Sequence, residues 1–243
     1  MFFFKRNKPS AYSDFSEIGL DMHSHLIPGV DDGATDITDS VALLSGLKEL
    51  GFHHFITTPH TLQDIHPNTS EILQKAHALL DEKLPPGINL ELSSEYYLDA
   101  QFQDQMRAEK LLPMKGNRIL VEFSQISRPH DLEEVVFDLN IKGYQVILAH
   151  PERYLFFHKD FGYYTRLKQM GVDLQVNALS LTKHYGEHVK KIAEKLIEAD
   201  MIDYFGTDTH HLRHIETLKQ VPSTKHFARL VDSGLLKNES LLP

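Results

Sequence analysis

Seven short runs rich in β-branched and aromatic residues punctuate this chain, and helical stretches fill the gaps between them. The runs are Gly19–Met22, His54–Thr58, Asn89–Ser93, Arg118–Phe123, Gln145–Ala149, Val172–Val176 and Asp203–Gly206. Each is too short for a helix and has the composition of a strand. Helices are predicted over Asp36–Leu50, Thr69–Leu84, Asp131–Lys142, Asp160–Met170, Glu187–Ala199 and roughly Ser223–Ser233. The first carries Ile37, Val41, Leu44 and Leu47 at spacings of three and four, an apolar stripe for packing on a sheet. Thr35 or Asp36 can cap its start, and Gly51 can end it in a left-handed turn. A β-α order repeated about seven times favours a parallel sheet with helices outside. No glycine-rich phosphate loop follows the first strand. The expectation is an α/β fold, a distorted (β/α)7 TIM-like barrel, with residues 18–243 as a single domain and residues 1–17 as a flexible extension.

In a parallel barrel, functional groups stand at the C-terminal ends of the strands. Here the first strand ends at His23 and His25, with Asp32 in the loop beyond. The second ends at His60, the third at Glu95 and the fourth at Glu122. The fifth ends at His150 with Arg153 close by, the sixth at Asn177, and the seventh at Asp208 and His210. A lone histidine or glutamate at a strand end is commonly a structural hydrogen-bond or ion-pair partner. Nine such groups at one mouth are harder to account for, since buried together without metal the carboxylates would repel and be poorly solvated. His23 and His25 are two residues apart, as are Asp208 and His210, so each pair faces one way on extended backbone. The pairs become neighbours if the barrel closes. Mixed imidazole and carboxylate donors suit zinc, manganese or iron and exclude a soft copper site. Nine donors exceed one tetrahedral ion, which implies about two or three ions able to clamp a phosphoryl group.

Composition narrows the chemistry. The chain has 243 residues and no cysteine, so disulfides, thiolate metal sites and cysteine nucleophiles are closed to it. It has 16 histidines, well beyond an ordinary share. A net charge of −9 and the lack of a basic stripe disfavour nucleic-acid binding. No apolar run reaches the roughly 18 residues of a membrane span, so a cytoplasmic protein is expected. Phe2, Phe3 and Phe4 fit either a loose terminus or, at most, a peripheral contact with a membrane surface or partner.

The segments DMHSHLIPGVDDG, TTPH, SSEYY, VEFS, LAHPER and GTDTH, in that order from about Leu20 to Leu212, resemble the PHP (polymerase and histidinol phosphatase) superfamily. More narrowly, they are similar to its bacterial manganese-dependent protein-tyrosine phosphatases, the CpsB/CapC type of capsule and exopolysaccharide synthesis. The resemblance implies a PHP-type barrel with a trinuclear centre. His23, His25, Glu95 and Asp208 would hold one ion. Glu95, Glu122 and His150 would hold a second, and Asp32, His60 and His210 a third. Asp31 would support the loop rather than ligate. Manganese comes first, with iron, zinc, cobalt or magnesium as alternatives. Hydroxide held between two ions would attack phosphorus in line, with Arg153 as phosphate clamp and Arg213 as the nearest candidate for a second arginine. The implied substrate is a phosphotyrosine protein, a tyrosine kinase with a Tyr-rich tail.

Other assignments stay open. His184, His211 and His214 can each protonate the leaving group, and Tyr96 and Tyr97 fit either an aromatic rim or the core. Two further functions remain: hydrolysis of a small phosphomonoester such as histidinol phosphate, or a non-catalytic, metal-stabilised binding module. Asp32 in DDG argues against the first, and the filled donor set against the second. Sequence leaves the oligomeric state open.

Overall fold

A computed structural model describes residues 12–242. Nine strands are assigned among them, all parallel: β1 (Leu20–Asp21), β2 (His54–Thr57), β3 (His60–Thr61), β4 (Asn89–Leu92), β5 (Glu95–Tyr97), β6 (Arg118–Glu122), β7 (Gln145–Ala149), β8 (Asp173–Asn177) and β9 (Tyr204–Gly206). They form a three-stranded sheet, β1-β2-β4, and a six-stranded sheet, β3-β5-β6-β7-β8-β9. The two sheets are parts of one curled wall. β2 and β3 are halves of one run, interrupted at Thr58-Pro59, where proline offers no N–H to a ladder. β4 and β5 are likewise split at Ser93-Ser94. Hydrogen bonds from Thr58 N to Ser24 O (2.7 Å) and Ser93 N to Thr57 O (2.9 Å) carry the pairing to the breaks. Seven runs therefore line the wall, as the β-α alternation predicts.

Closure between the first and last runs depends on side chains. Main-chain pairing there consists of a Ser24–Thr209 bridge, with Asp208 N donating to His23 O at 2.7 Å and His25 N to Thr209 O at 3.0 Å. Below it, the buried Asp21 carboxyl accepts from Thr207 N (2.9 Å) and Thr207 Oγ1 (2.7 Å). Lower still, Asn238 acts as a surrogate peptide unit. Its Oδ1 accepts from Phe205 N at 3.0 Å, and its Nδ2 donates to Phe205 O at 2.7 Å and Leu20 O at 3.2 Å. Buried backbone groups require partners, and here an amide side chain supplies them.

Eight α-helices accompany the wall: α1 (Ile37–Glu49), α2 (Ser70–Asp81), α3 (Ala100–Arg107), α4 (Leu132–Ile141), α5 (Gly162–Gln169), α6 (Glu187–Glu198), α7 (Leu212–Leu218) and α8 (Lys225–Ser233). The Asp36 side chain caps α1 by accepting from Asp39 N at 2.9 Å, and Thr69 caps α2 from Ile72 N at 3.3 Å. Gly51, at φ +103°, turns the chain out of α1. Helices α3 and α7 escape the pattern reading. Both are short, and α3 offers only Phe102 and Met106 as buried apolar residues.

The expected flexible extension of residues 1–17 is corrected from Tyr12 onward. Phe15 is fully buried, stacked on Phe52 at 4.8 Å and edge-on to Phe227 at 5.3 Å. Its N–H donates to Leu50 O at 2.8 Å, and a Cβ on Gly51 would lie 2.7 Å from Ser16 N. An aromatic ring with a complete neighbour shell is not released to solvent. Phe2, Phe3 and Phe4 lie outside the described residues. Phe15→Ala should cost about 3–5 kcal/mol in urea unfolding; a change under about 0.5 kcal/mol would mean that the segment does not pack.

Candidate metal centre

The strand ends converge on Glu95, which is fully buried at the start of β5. Parallel register sets it beside His60 of β3. Around it, five contacts link one imidazole-carboxylate quartet: His23 Nε2 to His25 Nε2 at 3.3 Å, each to Glu95 Oε2 at 3.2 and 3.5 Å, and each to Asp208 Oδ1 at 3.5 and 3.3 Å. The four donor atoms all lie within 4.8 Å of one another. Separations of 3.2 to 3.5 Å are compatible with donor atoms that share one ion at about 2.1 Å, the ordinary length of a metal–nitrogen or metal–oxygen bond.

Two further groups adjoin it. His60 Nδ1 lies 3.2 Å from Glu95 Oε2 and 3.1 Å from Glu122 Oε1, yet makes no hydrogen bond of acceptable direction. His150 Nε2 lies 2.9 Å from Glu95 Oε1 and 3.9 Å from Glu122 Oε2. On the outer side, Asp32 Oδ1 lies 3.4 Å from His210 Nε2 and 3.8 Å from His60 Nε2, while the rings of His25 and His210 stack at 3.8 Å. All nine acidic and histidine candidates therefore meet in one region, with His60 between two groups. The donors and their spacing fit divalent metal.

Local backbone aims these side chains. His150 (φ 35°) and Asp208 (φ 54°) adopt left-handed conformations just beyond β7 and β9, uncommon for residues other than glycine. Gly33 permits the loop to fold against His25, because a Cβ there would lie 2.2 Å from His25 O. Gly206 makes room for His23, whose Cβ would otherwise be 2.7 Å from an added methyl.

The inward faces of several rings are set by partners on their outward faces. His25 Nδ1 donates to Asp31 Oδ2 at 2.8 Å, and Asp31 also accepts from His60 N at 3.0 Å and Gly33 N at 3.0 Å. His210 Nδ1 donates to Asp208 O at 2.9 Å. His23 Nδ1 meets Gln175 Oε1 at 2.8 Å. A ring protonated at Nδ1 turns the Nε2 lone pair inward, as a metal requires.

Electrostatics match this crowding. Burial alone would raise the Glu95 carboxyl, but His23, His60 and His150 hold it well below the usual range. Burial likewise opposes ionisation of Asp208, and His23, His210, His25 and Arg153 reverse the effect. Asp31, despite burial, is drawn down to about 2 by His25 and His60. Burial and His25 push the His60 imidazole down, but Glu95 and Glu122 raise it to about 9. The neighbouring imidazoles thus keep these carboxylates negative despite burial.

A cavity of about 340 Å³ opens beside the cluster, with Arg153, Arg213, Tyr185 and His184 in its wall. Arg153 Nη1 donates to Asp208 Oδ2 at 2.9 Å, and its guanidinium lies 4.6 Å from the centre of the Tyr185 ring. Arg213 sits in the first turn of α7. His211 and His214 also line the cavity. Burial and neighbouring cations lower the pKa of His184, His211 and His214, so each favours the neutral form. Tyr96 belongs to the core, where its OH accepts from Leu112 N at 2.8 Å; the ring on the cavity is Tyr185. The sequence reading overlooked Tyr185 and Gln175. Gln175 and Asn177 did carry a signal, two polar residues at period two in β8.

His214 gives a pH test. Its Nδ1 accepts from His210 N at 3.2 Å, and burial with His210 and His184 lowers its pKa to about 4. An unfolded imidazole titrates near 6.5. The contribution is therefore complete above about pH 6.5 and disappears as pH falls toward about 4. His214→Asn keeps an acceptor without titrating there. Its unfolding free energy should fall less than the wild type's across that window in a urea series; parallel curves would refute the assignment.

The sequence model for the family described as "Capsular polysaccharide synthesis, CpsB/CapC" matches residues 19–233. The tyrosine-protein phosphatase YwqE of Bacillus subtilis is 27% identical over 198 residues, covering 80% of this chain and 78% of that protein. The tyrosine-protein phosphatase CpsB of Streptococcus pneumoniae is 23% identical over 202 residues, covering 79% of this chain and 83% of that protein. A crystal structure from a study of YwqE of B. subtilis and CpsB of S. pneumoniae, described as metal-dependent tyrosine phosphatases, superposes with a TM-score of 0.79 at 24% identity, covering 92% of this chain and 94% of that one. An amidohydrolase from Mycoplasma synoviae shares the fold more distantly, with a TM-score of 0.54 at 14% identity over 97% of this chain and 92% of that one. The chain belongs to the CpsB/CapC family of capsular polysaccharide synthesis.

Proposed function

We propose that this protein is a divalent-metal-dependent protein-tyrosine phosphatase, a phosphoric monoester hydrolase acting on phosphotyrosine. The observation that carries the reading is the closely grouped quartet His23, His25, Glu95 and Asp208 beside a cavity walled by two arginines. Family membership and the activities named for YwqE and CpsB support the substrate class. The reading assigns that quartet to one ion, Glu95, Glu122 and His150 to a second, and Asp32, His60 and His210 to a third, with manganese preferred. Divalent ions held by these side chains would supply Lewis-acid charge for displacement at phosphorus.

The chain's own residues do the remaining work. Asp208 and Tyr185 hold the Arg153 fork in one orientation, which leaves further N–H groups for phosphoryl oxygens. Arg213 offers a second positive group on the opening. The departing tyrosinate, with a parent pKa near 10, needs little proton assistance. A neutral imidazole N–H from His184, His211 or His214 is sufficient to hydrogen-bond it. With no cysteine in the chain, a cysteinyl-phosphate route is closed.

We assign residues 12–242 to one catalytic unit and the natural substrate to a phosphorylated tyrosine kinase of polysaccharide synthesis. The cytoplasm supplies the ATP that such a kinase needs. No helix among the described residues is long and apolar enough to cross a membrane.

Chelator-treated protein should lose phosphotyrosine-peptide hydrolysis by at least about 100-fold and regain it with manganese. The wild type should turn over phosphotyrosine faster than histidinol phosphate; the reverse order would favour a small-molecule phosphatase. Arg153→Ala should lower kcat/KM on the peptide by about 10- to 100-fold, the value of one charge-assisted contact. An unchanged kcat/KM would remove Arg153 from phosphate binding.

A further inference from the structure

The sixth run of the barrel, β8, contributes no metal donor to the proposed centre, yet its Gln175 is fully buried beneath it. Gln175 Oε1 lies 2.8 Å from His23 Nδ1 and 3.4 Å from His150 N. The amide orientation follows from its other end: Nε2 donates to Val176 O at 2.8 Å. Reversing the amide would set oxygen against oxygen there and N–H against His150 N–H. An amide oxygen accepts and cannot donate. The proton of the His23–Gln175 bond therefore belongs to His23 Nδ1, and Nε2 is the nitrogen that faces His25, Glu95 and Asp208. Space for the arrangement is reserved by Gly206, where a Cβ would lie 2.7 Å from His23 Cβ and 3.0 Å from Gln175 Nε2.

We propose that Gln175 is a positioning residue that fixes the Nδ1–H tautomer of His23 and, by also accepting from His150 N, holds two ligands from two strands in register. Asp31 does the same for His25 through a carboxylate, but Gln175 does it without adding charge. That matters beside Glu95 and Asp208, where one more buried anion would add to the repulsion. The inference rests on the metal reading above but makes no use of phosphotyrosine.

Zinc-loaded protein, observed by long-range ¹H–¹⁵N NMR, should show His23 protonated at Nδ1 and ligated through Nε2. The opposite tautomer would overturn the proposal whether or not any variant folds. Manganese affinity, measured by calorimetry on metal-free protein, should fall about 10- to 100-fold in Gln175→Leu. Equal affinity in the wild type and Gln175→Leu would overturn the positioning role alone. Absence of manganese binding in the wild type would overturn this inference together with the metal assignment. Binding that persists without phosphotyrosine turnover would overturn only the substrate reading and leave the role of Gln175 supported.

Discussion

A buried carboxylate surrounded by imidazoles governs this molecule. Glu95 is excluded from solvent and lies within hydrogen-bonding range of His23, His60 and His150. In isolation, such a group would take up a proton rather than remain charged. Its neighbours keep it ionised, and they come from the ends of different strands. The departures from a regular barrel serve that convergence. The second and third runs break at Thr58-Pro59 and Ser93-Ser94, so that His60 and Glu95 restart side by side. The fifth and seventh turn out of their strands through left-handed His150 and Asp208. Strain of this kind is retained when surrounding contacts over-determine it.

The seam between the first and last strands shows the same economy. His23, His25 and Asp208 can share one centre only if those strands meet. Their ladder is incomplete, and Asp21, Thr207 and Asn238 complete it with side-chain bonds. The residues closing the wall thus also bring the side chains of the first and last strand ends together. A shell of neutral or singly charged acceptors then orients the rings, Asp31 behind His25 and the Asp208 carbonyl behind His210. Asp208 bridges both layers, since Arg153 and Asn177 bind the oxygen turned away from the imidazoles.

Much of this was legible in the chain. The β-α alternation predicts the order of the strands, and strand ends in a parallel barrel mark where chemistry gathers. Two-residue spacing predicts that His23 and His25 face together, and they do, at 3.3 Å. The long amphipathic helices α1 and α2 are legible because their stripes and caps are local. The short helices α3 and α7 are not, since a few turns with little apolar surface are held by their surroundings. Phe15 reads as part of an exposed tail, because nothing local reveals Phe52, Phe205 and Phe227 around it.

Sequence alone determined the inventory: histidines and carboxylates at successive strand ends, no cysteine, and an acidic chain. These follow from residue type and from periods of two and 3.6, which are properties of neighbouring residues. Tertiary structure decided the rest. It placed Tyr96 in the core and Tyr185 on the cavity, folded Phe15 inward, and set Gln175 against a histidine 152 positions away. Hydrogen-bond direction and burial depend on partners distant in the chain, and only the closed wall brings those partners together.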